Sequence, residues 1–178
     1  TASDYATVKY NSSGTQQWVA RYNGPGNSND QAFKVVLVGT SLYVTGASAG
    51  TLNGDFATIK YNSSGVQQWA ARYNGPPGNL GDGANDMTVD GSGNIYVTGY
   101  STGSSTSNDY ATIKYNPSGV QQWVLKYNGS GNSTDEANAI AVDGSGNIYV
   151  TGNSIASNPA SDYATIKYSP TGSQLWVM

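Results

Sequence analysis

Neither cysteine nor histidine occurs in the 178 residues. Their absence excludes thiol nucleophiles, disulfides, structural zinc of the Cys/His kind and every His-based general acid or base. It leaves the compartment open, because reducing and oxidising environments both tolerate a Cys-free chain. Charge is scarce as well, at 11% of residues, and the net charge of −3 gives no electrostatic basis for a nucleic-acid partner. No apolar run approaches the roughly 20 residues of a membrane helix, so membrane insertion is not expected. The chain opens with Thr1-Ala2-Ser3, without a signal-peptide pattern, and is expected to begin part-way through a longer protein.

What is present is polar and periodic. Gly, Asn, Ser, Thr and Tyr abound and Lys is sparse, a composition that suits an extracellular or cell-surface setting. Tryptophan falls at 18, 69, 123 and 176, giving spacings of 51, 54 and 53. The same beat carries Asp4–Tyr10, Asp55–Tyr61, Asp109–Tyr115 and Asp162–Tyr168, which read Asp-(Tyr/Phe)-Ala-Thr-(Val/Ile)-Lys-Tyr. A third signature, Tyr-Val-Thr-Gly, sits at 43–46, 96–99 and 149–152. Three motifs on one period make a repeat, and a repeat decides the fold.

Each copy resolves into four short β-type segments, rich in Val, Ile, Thr, Tyr and Trp and bounded by Gly/Asn/Ser/Pro clusters. The first segment is Ala32–Val38, Ala84–Val89 and Ala137–Val142; the second is Leu42–Ala47, Ile95–Tyr100 and Ile148–Asn153. The Asp-Tyr-Ala-Thr run is the third. The fourth is Thr15–Tyr22, Val66–Tyr73, Val120–Tyr127 and Ser173–Met178. No stretch has a 3.6-residue apolar period, so no helix is predicted. The expected fold is all-β: a partial β-propeller of about three and a half four-stranded antiparallel blades, 14 strands in all. The expected boundaries are a half-blade over 4–22 and blades over 31–74, 84–128 and 136–178, forming a sector of a longer propeller.

Two kinds of connection alternate. Tight turns such as Asn62-Ser63-Ser64-Gly65 and Asp90-Gly91-Ser92-Gly93-Asn94 supply glycine where φ must be positive. Divergent connections run over Ser48–Gly54, Ser101–Asn108 and Ser154–Ser161, and between repeats over Asn23–Gln31, Asn74–Gly83 and Asn128–Glu136. In a meander both divergent classes emerge at one end, where binding specificity is expected. The ligand-facing residues expected there are Leu52, Asn53, Thr102, Ser107, Asn108, Ile155 and Asn158, and the expected ligand is a carbohydrate or a protein.

The motifs Asp-Tyr-Ala-Thr-Ile-Lys-Tyr-Asn, Gly-Val-Gln-Gln-Trp and Asp-Gly-Ser-Gly-Asn-Ile-Tyr-Val-Thr-Gly, in that order copy after copy, resemble the SBBP β-propeller repeat of bacterial secreted and surface proteins. The resemblance covers essentially the whole chain and implies a seven-bladed module in an extracellular setting, with no defined activity. The Gly-x-x-x-Trp element (Gly14/Trp18, Gly65/Trp69, Gly119/Trp123, Gly172/Trp176) is also similar to the tryptophan-docking motif of quinoprotein propellers, whose repeats are shorter.

Each motif has a second reading. Trp18, Trp69, Trp123 and Trp176 could stack a ligand, but identical placement in every copy assigns them to buried packing between blades. Asp-Gly-Ser-Gly-Asn suggests a calcium loop, yet it lacks the downstream Glu, and Val38-Gly39-Thr40-Ser41 makes the same turn with no Asp. Seven of the eight basic residues occupy two repeat positions, Lys9/Lys60/Lys114/Lys167 and Arg21/Arg72/Lys126. Cross-strand ion pairs with Asp4, Asp55, Asp109 and Asp162 are expected for them, rather than an active site built of distinct groups. The Asn-x-Ser/Thr sites at Asn11, Asn62, Asn128 and Asn132 serve equally as glycosylation acceptors or as turn residues. No catalytic, cofactor-binding or metal-ligating residue is assigned. The expected function is a non-enzymatic scaffold or binding platform whose partners are other blades of the same parent or copies of itself. Two alternatives stay open: a non-catalytic sector of a propeller enzyme, quinoprotein-like or hydrolase, and a structural subunit assembling through open blade edges.

Overall fold

The computed structural model describes residues 2–50, 53–76, 80–103, 107–155 and 161–178. Strands β1 (Tyr5–Tyr10) and β2 (Gln16–Tyr22) form a two-stranded sheet. Three four-stranded meanders follow, each in sequence order and antiparallel throughout. The first holds β3 (Asp30–Val38), β4 (Ser41–Ala49), β5 (Gly54–Tyr61) and β6 (Gln67–Tyr73). The second holds β7 (Asp82–Val89), β8 (Ile95–Thr102), β9 (Asn108–Tyr115) and β10 (Gln121–Tyr127). The third holds β11 (Glu136–Val142), β12 (Ile148–Ile155), β13 (Ser161–Tyr168) and β14 (Gln174–Val177). This is a partial β-propeller: three blades and the two outer strands of another.

Alternation along the third strand explains how blades stack, because successive side chains leave a strand on opposite faces. From β5, Phe56 points with Tyr43 into a core completed by Ala84, Met87, Ile95 and Ile113 of the following blade. Ala57, Ile59 and Tyr61 of the same strand point the other way and close a core with Tyr5 and Tyr22 of the preceding half-blade. The pattern recurs one repeat on, where Tyr96 and Tyr110 meet Ala137, Ile148, Val150 and Ile166. Every core is thus an interface in which an aromatic face of one blade meets an aliphatic face of the next. Each fully buried Ile or Tyr in it contributes on the order of 1.5–3 kcal/mol.

Within a blade, a hydroxyl pair ties the two middle strands. Thr45 and Thr58 lie 2.9 Å apart, Thr98 and Thr112 3.0 Å, and Thr151 and Thr165 3.0 Å. The third and fourth strands then slip register by one residue beside the lysine. Lys60 faces Trp69 but Tyr61 faces Gln67, and the same slip occurs beside Lys9 and Lys114. Such a bulge re-aims the side chain next to it, and that side chain is the tryptophan.

The strands outrun their apolar patterns. Thr102, Asn108 and Ile155, which the sequence places in loops, are the last rungs of their ladders: Thr102 pairs with Asn108, and Ile155 with Ser161. Backbone pairing needs no apolar residue, and here a polar one helps, since Thr102 Oγ1 donates to Gly81 O at 2.6 Å.

Candidate functional site

Both ends of the blades are sites where side chains converge, and they are built differently. At the tight-turn end, Asn62 Oδ1 accepts the backbone N–H groups of Ser64 and Val66 at 3.0 Å each, so the residue type dictates the turn. Asn11 and Asn116 repeat this arrangement. Gly65 closes the turn at φ +79°, where an L side chain is strained. The turn then presents a backbone carbonyl to the preceding blade. Ser63 O accepts from Trp18 Nε1 at 3.1 Å and from Lys9 Nζ at 3.5 Å. Pro117 O accepts from Trp69 Nε1 at 3.2 Å and from Lys60 Nζ at 3.5 Å, and Pro170 O accepts from Lys114 Nζ at 3.4 Å.

The repeat lysines are directed to ring faces and turn carbonyls, and the expected pairing with a repeat aspartate is made by Arg72 with Asp55. Register sets Lys60 opposite Tyr43, and its Nζ lies 5.4 Å from that ring's centroid. Lys114 over Tyr96 (5.2 Å) and Lys167 over Tyr149 (5.0 Å) repeat the contact. The Asp positions sit at the far end of the same strand. Among the described residues two ion pairs form, Arg72–Asp55 at 2.6 Å and Lys34–Asp86 at 2.7 Å.

All four tryptophans are half-buried rather than buried. They stand on the outermost strand, so one edge of each indole stays in solvent. Trp18 and Trp69 lie on the next turn's glycine, and Trp69 and Trp123 also tilt against Tyr43 and Tyr96 at 6.1 and 6.0 Å. Trp176 tilts against Tyr149 at 6.2 Å.

The calcium-like turns are occupied by protein donors. Asp90 Oδ1 accepts from the N–H groups of Ser92 and Asn94, and Oδ2 from Asn94 Nδ2 and Tyr96 OH. Burial raises the Asp90 pKa, but these bonds outweigh it and hold the carboxyl below its usual range. In the equivalent Asp143 turn, bonds from the Asn147 amide and backbone, then from Ser145 and Tyr149, pull the carboxyl down to about 2.

The loop end holds a set of residues that sequence reasoning missed. Asp30, Asp82 and Asp135 are buried, and each accepts a backbone N–H at 2.7 Å, from Gly24, Gly75 and Gly129 respectively. Their signal is a Gly-to-Asp spacing of six, seven and six residues, hidden inside divergent connections. Arg72 spans the first junction here: Nη2 reaches Asp55 Oδ2 at 2.6 Å and Ser48 O at 3.0 Å, while Nη1 contacts Ser48 Oγ and donates to Tyr22 OH at 3.3 Å. One repeat on, the position is Lys126, which is exposed.

Of the expected ligand-facing residues, Asn53 O accepts Gly50 N at 2.7 Å, and Ser107 Oγ accepts from Thr134 at 3.1 Å. Leu52 and Asn158 lie outside the described residues. A recess of about 740 Å³ opens beside the unpaired edge of β1, lined by Val8, Tyr10, Phe33, Val35 and Leu37. Among the described residues no three acidic side chains converge on a point that could hold a metal ion.

Residues 68–111 and 122–158 match the family model of the SBBP β-propeller repeat. No curated protein matches the chain. Over those residues the chain carries SBBP-type β-propeller repeats, set in an all-β partial propeller of repeated antiparallel sheets.

Proposed function

We propose that this propeller module is a non-enzymatic, extracellular binding platform, whose ligand, a carbohydrate or a protein, is contacted by the divergent loops. The carrying observation is the contrast between the two ends. At the turn end a lysine Nζ meets the equivalent backbone carbonyl at three successive junctions, joined at the first two by a tryptophan Nε1. At the loop end equivalent positions differ in kind, with Arg72 clamped across a junction where Lys126 is exposed. Variation confined to loops on a constant frame is how scaffolds encode recognition. The carboxylates support the non-enzymatic reading, because they hold structure: Asp30, Asp82 and Asp135 on backbone N–H groups, Asp90 and Asp143 in their turns, Asp55 and Asp86 on cations. The polar, Lys-poor composition supports the extracellular setting.

The test is binding of the 178-residue chain to panels of immobilised glycans and surface proteins. Loss of binding in Asn53→Ala or Ser107→Ala, with Ser92→Ala unaffected, is the expected result. Binding abolished by Ser92→Ala and untouched by the loop variants overturns it, as does turnover of any panel member.

A further inference from the structure

Asparagine followed by glycine is among the least durable joints a protein chain carries at neutral pH. The glycine nitrogen, once it loses its proton, attacks the asparagine side-chain Cγ. A C–N bond forms, ammonia leaves, and water opens the ring to aspartate or to isoaspartate, whose main chain is one atom longer. Glycine favours the attack because it puts no side chain in the way. The sequence holds this pair at 23–24, 53–54, 74–75 and 128–129. Three of the four stand at one place in the repeat, directly after the last strand of a blade and at the start of the connection to the next.

These three joints are built alike. Asn23, Asn74 and Asn128 face water, while Gly24, Gly75 and Gly129 are buried. A Cβ on those glycines would collide with the hydroxyls of Ser48, Ser101 and Ser154, which are themselves buried. The fold therefore cannot trade the labile pair for a sturdier one at its second residue. At two of the sites the asparagine is engaged as well: Asn23 Nδ2 donates to Asn27 Oδ1 at 2.8 Å and Asn128 Nδ2 to Asn132 Oδ1 at 2.7 Å.

Each glycine nitrogen is held by a carboxylate from the far end of its own connection. Gly24 N donates to Asp30 Oδ2, Gly75 N to Asp82 Oδ2 and Gly129 N to Asp135 Oδ2, at 2.7 Å in all three. The three aspartates are at most 2% exposed. Asp135 is pinned in turn, its N–H donating to Asn108 O at 2.6 Å and its Oδ1 accepting from Ile155 N at 3.1 Å. Short bonds from an amide to an ionised carboxylate are the stronger kind. Removing the amide proton would leave two negative charges 2.7 Å apart where water is excluded, and there like charges repel most.

We infer that Asp30, Asp82 and Asp135 guard the Asn-Gly joints: each keeps its glycine nitrogen protonated and engaged, and so suppresses conversion of Asn23, Asn74 and Asn128 to aspartate or isoaspartate. The role goes beyond shaping a connection, because an added main-chain atom there would fall where one blade is joined to the next.

Peptide mass spectrometry with isoaspartate quantification tests this on the 178-residue chain, aged at neutral pH in native buffer and in concentrated guanidinium chloride. A bond of this strength, broken before the attack, slows it on the order of 10- to 100-fold, which is the expected ratio of denatured to native rate at the three joints. Asp135→Asn keeps an acceptor and removes the charge, and Asp135→Ala removes both. Each is expected to speed conversion at Asn128 alone, the alanine variant more, while slow rates at Asn23 and Asn74 show in the same molecule that the other blades stay folded. Asp30→Asn is expected to move the effect to Asn23. Native rates equal to denatured rates overturn the inference. So does a folded Asp135 variant in which Asn128 stays as slow as in the parent chain, which would assign the protection to the backbone alone. Slower conversion in that variant overturns it too, since the carboxylate would then be a base that promotes the attack.

Discussion

Replacing Gly119 by Ala perturbs one junction at one atom. Gly119 sits at φ +80°, and an added Cβ would lie 2.7 Å from Cδ2 of Trp69, closer than real Cβ contacts come. The left-handed backbone alone costs an alanine about 1–2 kcal/mol. The indole must also retreat, which breaks the 3.2 Å bond from its Nε1 to Pro117 O, a bond worth about 1 kcal/mol. Retreat further exposes ring surface that is now covered, at roughly 25 cal/mol per Å². Together these place the loss at about 2–4 kcal/mol. Gly39→Ala is the matched control, because Gly39 has φ +58° with nothing within 4 Å of an added Cβ, so only the backbone cost applies. Urea unfolding followed by tryptophan fluorescence reads both, as shifts of midpoint at constant slope. The expected midpoint loss for Gly119→Ala is about twice that of the control. Equal losses would refute the reasoning, since they would show that the glycine serves the turn and not the neighbouring indole.

Arg72→Met leaves Asp55 without its cation and removes a contact across the junction; with both side chains partly solvated, the expected cost in thermal unfolding is about 2 kcal/mol. Lys126→Met at the equivalent exposed position stays within about 0.5 kcal/mol, and equal effects would contradict the clamp. Thr98→Val strips one member of a buried hydroxyl pair and costs about 1–2 kcal/mol, whereas Thr98→Val with Thr112→Val costs less than the two single changes added, because no hydroxyl is left without its partner. A strictly additive double-mutant cycle would count against that pairing. The Asp143 turn predicts a pH dependence: the folded carboxyl sits at about 2 against an ordinary 3.8, so its stabilisation is present above pH 4 and disappears as pH falls through 2. Asp143→Asn flattens that window, and an unchanged acid limb in the variant would show that the turn does not hold the proton off.

The repeat and its phase were legible because they rest on large, unambiguous side chains. Trp, Tyr and the Tyr-Val-Thr-Gly runs mark strand order without reference to any contact. Of the cross-strand ion pairs expected between the two basic sets and the repeat aspartates, Arg72–Asp55 forms, whereas the lysine series turns to ring faces and turn carbonyls instead. Sequence gives the lysines and the aspartates on one strand, but only register reveals that Lys60 lies opposite Tyr43 and Asp55 opposite Ser48, at opposite ends. The buried aspartates Asp30, Asp82 and Asp135 escaped notice for a related reason. Their partners are main-chain N–H groups of glycines, which leave no side-chain signature, and their connections differ in length. The strand ends at Thr102, Asn108 and Ile155 were placed in loops because backbone pairing carries the ladder past the end of the recurring apolar pattern.

The acceptor at each turn, Ser63, Pro117 or Pro170, is a main-chain oxygen. A serine and two prolines serve it equally, so the residue there is free to drift while the docking endures. Only the donor side is written in side chains, and it is written alike in every copy. Blades joined by such a latch are interchangeable parts: exchanging the order of two of them within the gene would leave each latch facing a carbonyl it can use. An array of this kind can lengthen, shorten or recombine by whole repeats, and its loop end can be reshuffled without re-inventing the joints that hold it.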